Sequence, residues 1–167
     1  MDEKAIRRRC ETRLRALALP TPFDLDTFIA GIAARRGRLI ARYALPLMGG
    51  LPGLWLETDT ADLLYYEERT SPLHQQHIIL HELGHILWEH QGLLLGQAVS
   101  LGDLTLAELR ALRDERYTAE EEYEAETLAT LIQHAAQRAQ AGLAVDADSQ
   151  TTRILHLLDS LEGTAYE

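Results

Sequence analysis

Cysteine is almost absent from this 167-residue chain. Cys10 stands alone, which excludes an internal disulfide framework and fits a reducing compartment. No stretch approaches the ~18 uninterrupted apolar residues that read as a membrane span. The charged start (Asp2, Glu3, Lys4, then Arg7 to Arg9) leads into no apolar core of the signal-peptide kind. Internal repeats and low-complexity segments are missing as well. The expectation is one soluble, cytoplasmic domain, long enough to build a core without staples.

Positive charge is scarce beyond the N-terminal third. The net charge is −10, but residues 1–42 hold ten Lys/Arg against five Asp/Glu, a net of +5, and the remainder carries −15. An acidic body argues against nucleic-acid binding by the whole chain. The basic third can touch an acidic partner or DNA, although such arginines are more often solvated helix faces.

The apolar pattern divides the chain into helices at 1–37, a small sheet at 38–68, and helices over 71–162. Residues 2–18 read as an amphipathic helix with Ile6, Cys10, Leu14 and Leu17 on one stripe, so Cys10 is expected to pack rather than react. Asp24 caps a second helix carrying Phe28, Ile29 and Ile32, which ends near Gly37. Arg38 to Leu45 reads as a strand, followed by a loop with Pro46, Gly49, Gly50, Pro52 and Gly53. Two further strands, Leu54 to Thr58 and Asp62 to Glu67, suggest a small antiparallel sheet. After Gly92 and Gly96 come helices opening at Thr105–Glu108 and Thr118–Glu121, both with capping-box spacing. The second is expected to reach about Gly142, and a last helix to cover 149–162, with Ile154, Leu157, Leu158 and Leu161 on one face.

The chemistry concentrates in one helix. Ser71 can cap it, Pro72 suits its first position, and His74, His77, His81 and His85 fall within one arc of roughly 80°. Four imidazoles on one stripe are a poor way to build a core, since each needs a hydrogen-bond partner when buried. His74 with His77, or His77 with His81, has spacing that could share an ion. Only His81 and His85 carry a glutamate directly after the first histidine, giving His81-Glu82-Leu83-Gly84-His85. Histidines four apart on a helix can chelate one Zn2+, and Glu82 then lies beside the open position to take a proton from a bound water. His74 and His77 read as rim or supporting residues, and His90 as exposed.

A catalytic zinc needs a third protein ligand. The acidic run Glu120, Glu121, Glu122, Glu124, Glu126 is the source. Glu121 suits the cap of Thr118. Glu122 and Glu126 share the inward face with Ala125 and Ala129, so Glu122 is the first choice as ligand, with Glu126 behind it holding a histidine's second nitrogen. Glu124 is the second choice. An acidic helix start that complements the macrodipole would account for several of these residues without any metal. For a group that stabilises the developing oxyanion, the sequence offers His134, His156, Tyr65, Tyr66 and Tyr123 without selecting among them.

With His81-Glu-Leu-Gly-His85 followed by Glu122-Tyr-Glu-Ala-Glu126-Thr-Leu-Ala, the chain resembles the ImmA/IrrE family of zinc metallopeptidases, in particular short toxin- or regulator-type actinobacterial members. The similarity covers roughly Gly53 to Gln137. It implies Zn2+ on His81, His85 and Glu122, Glu82 as general base, and a helix-turn-helix repressor or antitoxin as protein substrate. Two departures stand out: Glu126 where the family usually has Asn or Asp, and Leu131-Ile-Gln-His where it commonly has Leu-Leu-x-Pro. The resulting expectation is a mainly helical α+β domain with a small antiparallel sheet near the zinc helix, acting as a cytoplasmic zinc endopeptidase with no membrane contact. The alternative is a non-proteolytic module that sequesters such a partner, its zinc serving only structure. A third expectation is a metal-dependent hydrolase of small molecules.

Overall fold

The computed structural model describes residues 1–47, 51–94 and 105–162, with side chains at all of these except 106, 144–149 and 151–162. Among the described residues five helices and four strands follow one another: α1 Glu3–Ala16, α2 Leu25–Arg36, β1 Leu39–Leu45, β2 Gly53–Glu57, β3 Ala61–Glu67, α3 Pro72–Leu87, β4 Leu93–Leu94, α4 Leu106–Arg116 and α5 Ala119–Glu162. The fold is α+β and mainly helical, as expected.

Helix starts are set locally by side chains that satisfy the first free N–H groups. Asp24 accepts from the Thr27 amide at 2.7 Å, and Ser71 accepts from the His74 amide at 3.3 Å ahead of Pro72. Thr105 with Glu108 forms a reciprocal box, as does Thr118 with Glu121. α2 stops at Gly37, whose φ of 65° is left-handed.

The sheet differs from the expected antiparallel one. Its order is β1-β3-β2-β4, with β2 and β3 antiparallel but β1 parallel to β3 and β4 parallel to β2. The β2–β3 hairpin follows from its short turn, where Thr58 Oγ1 accepts from the Ala61 amide. The neighbours of that hairpin are non-local. The connection from β1 sends β2 to the far side of β3, so β1 lies beside β3 in the same direction. A second difference lies in α5, which runs unbroken where two helices were expected. Gly142 faces open space without a positive φ, so it weakens the helix without ending it. The side chains of Ile154, Leu157, Leu158 and Leu161 lie outside the described residues.

β2 is buried on both faces. Trp55 joins Ile6, Cys10, Phe28, Ile32, Leu64, Leu80, Leu83, Ile86, Leu128 and Ile132 in the main core, which α1, α2, α3 and α5 close from one side. Leu54 and Leu56 face the other way, onto Leu51, Leu93 and Leu109. Cys10 is fully buried, and burial pushes its thiol up to about 11, so it packs as an inert apolar group.

At the hairpin, Asp62 is fully buried and accepts from Arg36 Nε at 3.1 Å, Arg38 Nη2 at 3.5 Å and the Trp55 indole at 3.2 Å. Removing it strands the Arg36 guanidinium and the indole N–H, while Arg38 keeps the Thr58 and Ala61 carbonyls as acceptors. Asp62→Ala is expected to cost about 3 kcal/mol in urea unfolding, and Asp62→Asn clearly less. A loss below about 1 kcal/mol for the alanine would show that the buried pair does not hold the hairpin to α2.

Candidate metal centre

The site depends on how closely two helices cross. A Cβ on Gly84 would lie 2.9 Å from both the Cα and the carbonyl oxygen of Ala125, so only glycine lets α3 and α5 touch backbone to backbone here. Ala125 and Ala129 are fully buried at this contact. Glu122, just before Ala125 on α5, is thereby laid across the His81–His85 face of α3.

The three side chains converge. His81 Nε2 lies 3.2 Å from His85 Nε2 and 3.2 Å from Glu122 Oε2, and His85 Nε2 lies 3.9 Å from Glu122 Oε1. One donor atom from each falls within 4.8 Å of the others, a set that could hold a metal ion. Tetrahedral ligands at about 2.0–2.1 Å from an ion stand ~3.3 Å apart, so the spacing fits. The protons fit too. His81 Nε2 also meets Arg113 Nη2 at 3.3 Å, and one ring nitrogen with a single proton or lone pair cannot satisfy three such neighbours. A cation among the lone pairs would relieve the contacts with His85 and Glu122, and Arg113 Nη2 keeps Glu122 Oε1 at 3.1 Å as its acceptor.

Each histidine is fixed from behind. Glu126 Oε2 lies 3.2 Å from His81 Nδ1, the supporting role expected for it, and the same carboxylate meets His77 Nε2 at 3.1 Å. His77 Nδ1 contacts Gln133 Oε1 at 2.7 Å. His85 Nδ1 lies 2.9 Å from His90 Nδ1, and His90 Nε2 lies 3.2 Å from Glu124 Oε2. Such contacts hold the Nδ1 proton in place and leave Nε2 free to bind.

Two expectations change here. Glu124 is no ligand: its carboxylate points to His90 and pairs with Arg9 Nη2 at 2.5 Å. His90 is not exposed, its side chain being 7% accessible. After α3 the chain turns through Glu89, a non-glycine residue with φ of 60°, and the His90 amide donates back to the His85 carbonyl at 3.0 Å. That turn folds His90 behind His85. Nothing in the residue type of Glu89 signals it.

Two of the three groups already carry the charge that a metal ligand needs. Burial and then the nearby His81 hold His85 down at about 2, so it stays neutral, as a ligand must. Burial works against charging His81, but hydrogen bonds to Glu122 and Glu126 outweigh it and raise it to about 9, so at neutral pH it is an imidazolium whose proton a metal ion must displace. Burial pushes Glu122 up, yet His81 and Arg113 bring it down to about 2, so it is ionised.

Glu82 is the exception. It is 1% exposed, and neither carboxylate oxygen has a well-formed hydrogen bond, the Trp55 amide lending only a weak pull. Burial raises its pKa above the usual range, against the opposing charges of His81 and Arg113. Gly53 makes room for it, since a Cβ there would stand 2.8 Å from Glu82 Oε1 and 2.6 Å from Ile78 Cγ2. Together with His81, Glu122 and Arg113, Glu82 lines a cavity of about 330 Å³, with His74 and His77 at its rim.

Two residues that the sequence reading missed join the site from α4 and its end. Arg113 Nη2 lies 3.1 Å from Glu122 Oε1, and the Tyr117 ring stacks on His85 with centroids 3.8 Å apart at 20°. Burial, then the Glu82 and Glu122 charges, push the Tyr117 phenol far above its usual range. Their signal was the spacing Leu109, Arg113, Tyr117, one helical stripe with a buried leucine at its start. Of the earlier candidates, Tyr65 packs on the second cluster and stacks on Tyr43, Tyr66 and Tyr123 pack on the main core, and His134 is exposed. The His156 side chain lies outside the described residues.

No protein-family model matches the chain, and neither does any curated protein or solved structure. The site therefore stands on its geometry.

If the helix crossing makes the site, widening it should unmake it. Gly84→Val is expected to destabilise the fold by about 2 kcal/mol and to weaken metal binding at least tenfold in competition with a chelator. Gly142→Ala, placed in open space on α5, should leave metal binding untouched. Wild-type metal affinity in Gly84→Val would separate the site from the crossing.

Proposed function

We propose that the chain is a zinc-dependent endopeptidase that cuts a protein partner in the cytoplasm. The observation that carries this reading is Glu82: a buried carboxylate without a strong partner, lining a cavity beside two histidines and a glutamate of metal-binding geometry. Zn2+ held by His81, His85 and Glu122 would polarise the scissile carbonyl and acidify a water at the fourth position.

The chain's own residues supply the proton path. Glu82 accepts the proton of the attacking water and delivers it to the amine nitrogen as the C–N bond breaks. Its raised pKa brings it nearer neutrality, where one group serves best as both base and acid. Glu126 and the His90–Glu124 pair hold the two imidazoles in their binding tautomers. Arg113, with a guanidinium at the ligand cluster, is the group suited to the carbonyl oxygen as charge develops there.

The open side of the cluster supports catalysis over a purely structural ion. Structural zinc sites close with four protein ligands, whereas among the described residues three converge beside a cavity. The resemblance to ImmA/IrrE peptidases makes a helix-turn-helix repressor or antitoxin the first substrate class to test. The single buried thiol suits a reducing cytoplasm. Among the described residues, no helix is long and apolar enough to cross a membrane.

The test compares zinc content with cleavage of a co-expressed repressor or antitoxin, read by mass spectrometry. His81→Ala should lose the metal. Glu82→Gln should keep it and cleave at least about 100-fold more slowly. Glu82→Gln cutting at the wild-type rate contradicts the mechanism, and an intact regulatory effect without cleavage would favour the sequestering module. Separately, Arg113→Ala should retain zinc and lower kcat with little change in KM; a fall in KM-controlled binding alone would remove Arg113 from the oxyanion role.

A further inference from the structure

A second cavity lies away from the metal cluster. It is a groove of about 770 Å³ between α1, α2 and the C-terminal end of α3. Its floor is apolar, formed by Leu17, Ile32, Ile86 and the Trp88 ring, and five arginines rise around it.

Those arginines fall into two sets. Arg9, Arg13 and Arg36 are held in place. Arg13 lies over the Trp88 ring with its guanidinium carbon 4.3 Å from the centroid and donates to the Leu87 carbonyl. Arg9 pairs with Glu124 and Glu120, and Arg36 pairs with Asp62. Arg8 and Arg35 are exposed on the rim, and no acidic side chain among the described residues lies within ion-pair reach of either. An apolar floor with two free guanidinium groups above it matches a ligand that carries both apolar side chains and carboxylates.

We propose that this groove binds a short acidic segment of a partner protein, its carboxylates on Arg8 and Arg35 and its apolar side chains on Ile32, Ile86 and Trp88. The dimensions agree. From Arg8 to Leu17 the helix advances ~14 Å, the reach of about four extended residues. The charge distribution agrees as well, because all the arginines of the groove belong to the +5 N-terminal third of a chain that is otherwise −15. A dense polyanion suits it less. Glu89 lines the groove and Glu120 sits at its edge beside Arg9, so a phosphate backbone would meet carboxylates as well as arginines. A peptide with one or two acidic groups avoids that repulsion.

The groove shares no lining residue with the metal cavity, so its test is independent of the peptidase reading. A fluorescein-labelled peptide of alternating leucine and glutamate, about five residues long and with leucine at both ends so that it carries two glutamates, is titrated with the full chain and followed by anisotropy. The same titration is run with His81→Ala, with an alternating leucine–lysine peptide, and with a single-stranded oligonucleotide. The acidic peptide should bind wild type and His81→Ala equally. It should weaken about tenfold in Arg8→Glu/Arg35→Glu, with circular dichroism unchanged, and keep wild-type affinity in Arg7→Glu, a reversal outside the groove. No binding by wild type, equal binding of the lysine peptide, or full affinity in the double variant overturns the proposal. Tighter binding of the oligonucleotide, lost in the double variant, would reassign the groove to nucleic acid.

Discussion

At Gly84 the backbones of α3 and α5 come together with no side chain between them, and the chemistry of this protein is arranged around that contact. Glu122 can lie within 3.2 Å of a histidine one helix away because Ala125 fits against a residue with no Cβ. The small residues along α5 keep the approach close over more than a turn, with Ala125 and Ala129 both fully buried. Packing density thus translates into ligand spacing. A cluster of donor atoms within a few ångströms tolerates little drift, since a misplaced ligand costs far more than a misplaced core methyl.

A second constraint is electrostatic. Four imidazoles, four carboxylates and two guanidinium groups crowd together around a partly buried volume, where unpaired charge is expensive. Almost every member is paired: Glu126 with His81 and His77, Glu124 with His90 and Arg9, Glu122 with His81 and Arg113. Glu82 has the His81 and Arg113 charges nearby but no well-formed hydrogen bond to offset its burial. A fold under selection for stability alone would not keep a carboxylate there, because burying it without partners works against folding. Gly53 and Gly84 act from opposite sides, one making room for the Glu82 carboxylate and the other letting Glu122 reach the two histidines.

Much of the site could be read from residue order because it rests on helical periodicity. The facing of His81 with His85, and of Glu122 with Glu126 beside Ala125 and Ala129, follows from four-residue spacing, as do the caps at Ser71, Thr105 and Thr118. What escaped has a non-local or backbone cause. The parallel placement of β1 and β4 depends on which strand edge a connection reaches, and no local pattern encodes that. His90 folds inward because Glu89 adopts a left-handed conformation that its side chain does not advertise. Arg113 and Tyr117 reach the cluster from a third helix, so no spacing within α3 or α5 could point to them. Continuity of α5 past Gly142 shows the converse, a residue that commonly ends helices sitting inside one where no turn is required.

The central claim is that α3 and α5 together form a zinc site with an open position. Zinc-edge X-ray absorption on protein purified without chelator tests it most directly. The account predicts about one zinc per chain, bound only by nitrogen and oxygen at about 2.0–2.1 Å, with the scattering signature of two imidazoles that is lost in His81→Ala. Sulfur in the ligand shell, a shell without histidine, or no zinc even after reconstitution would contradict it.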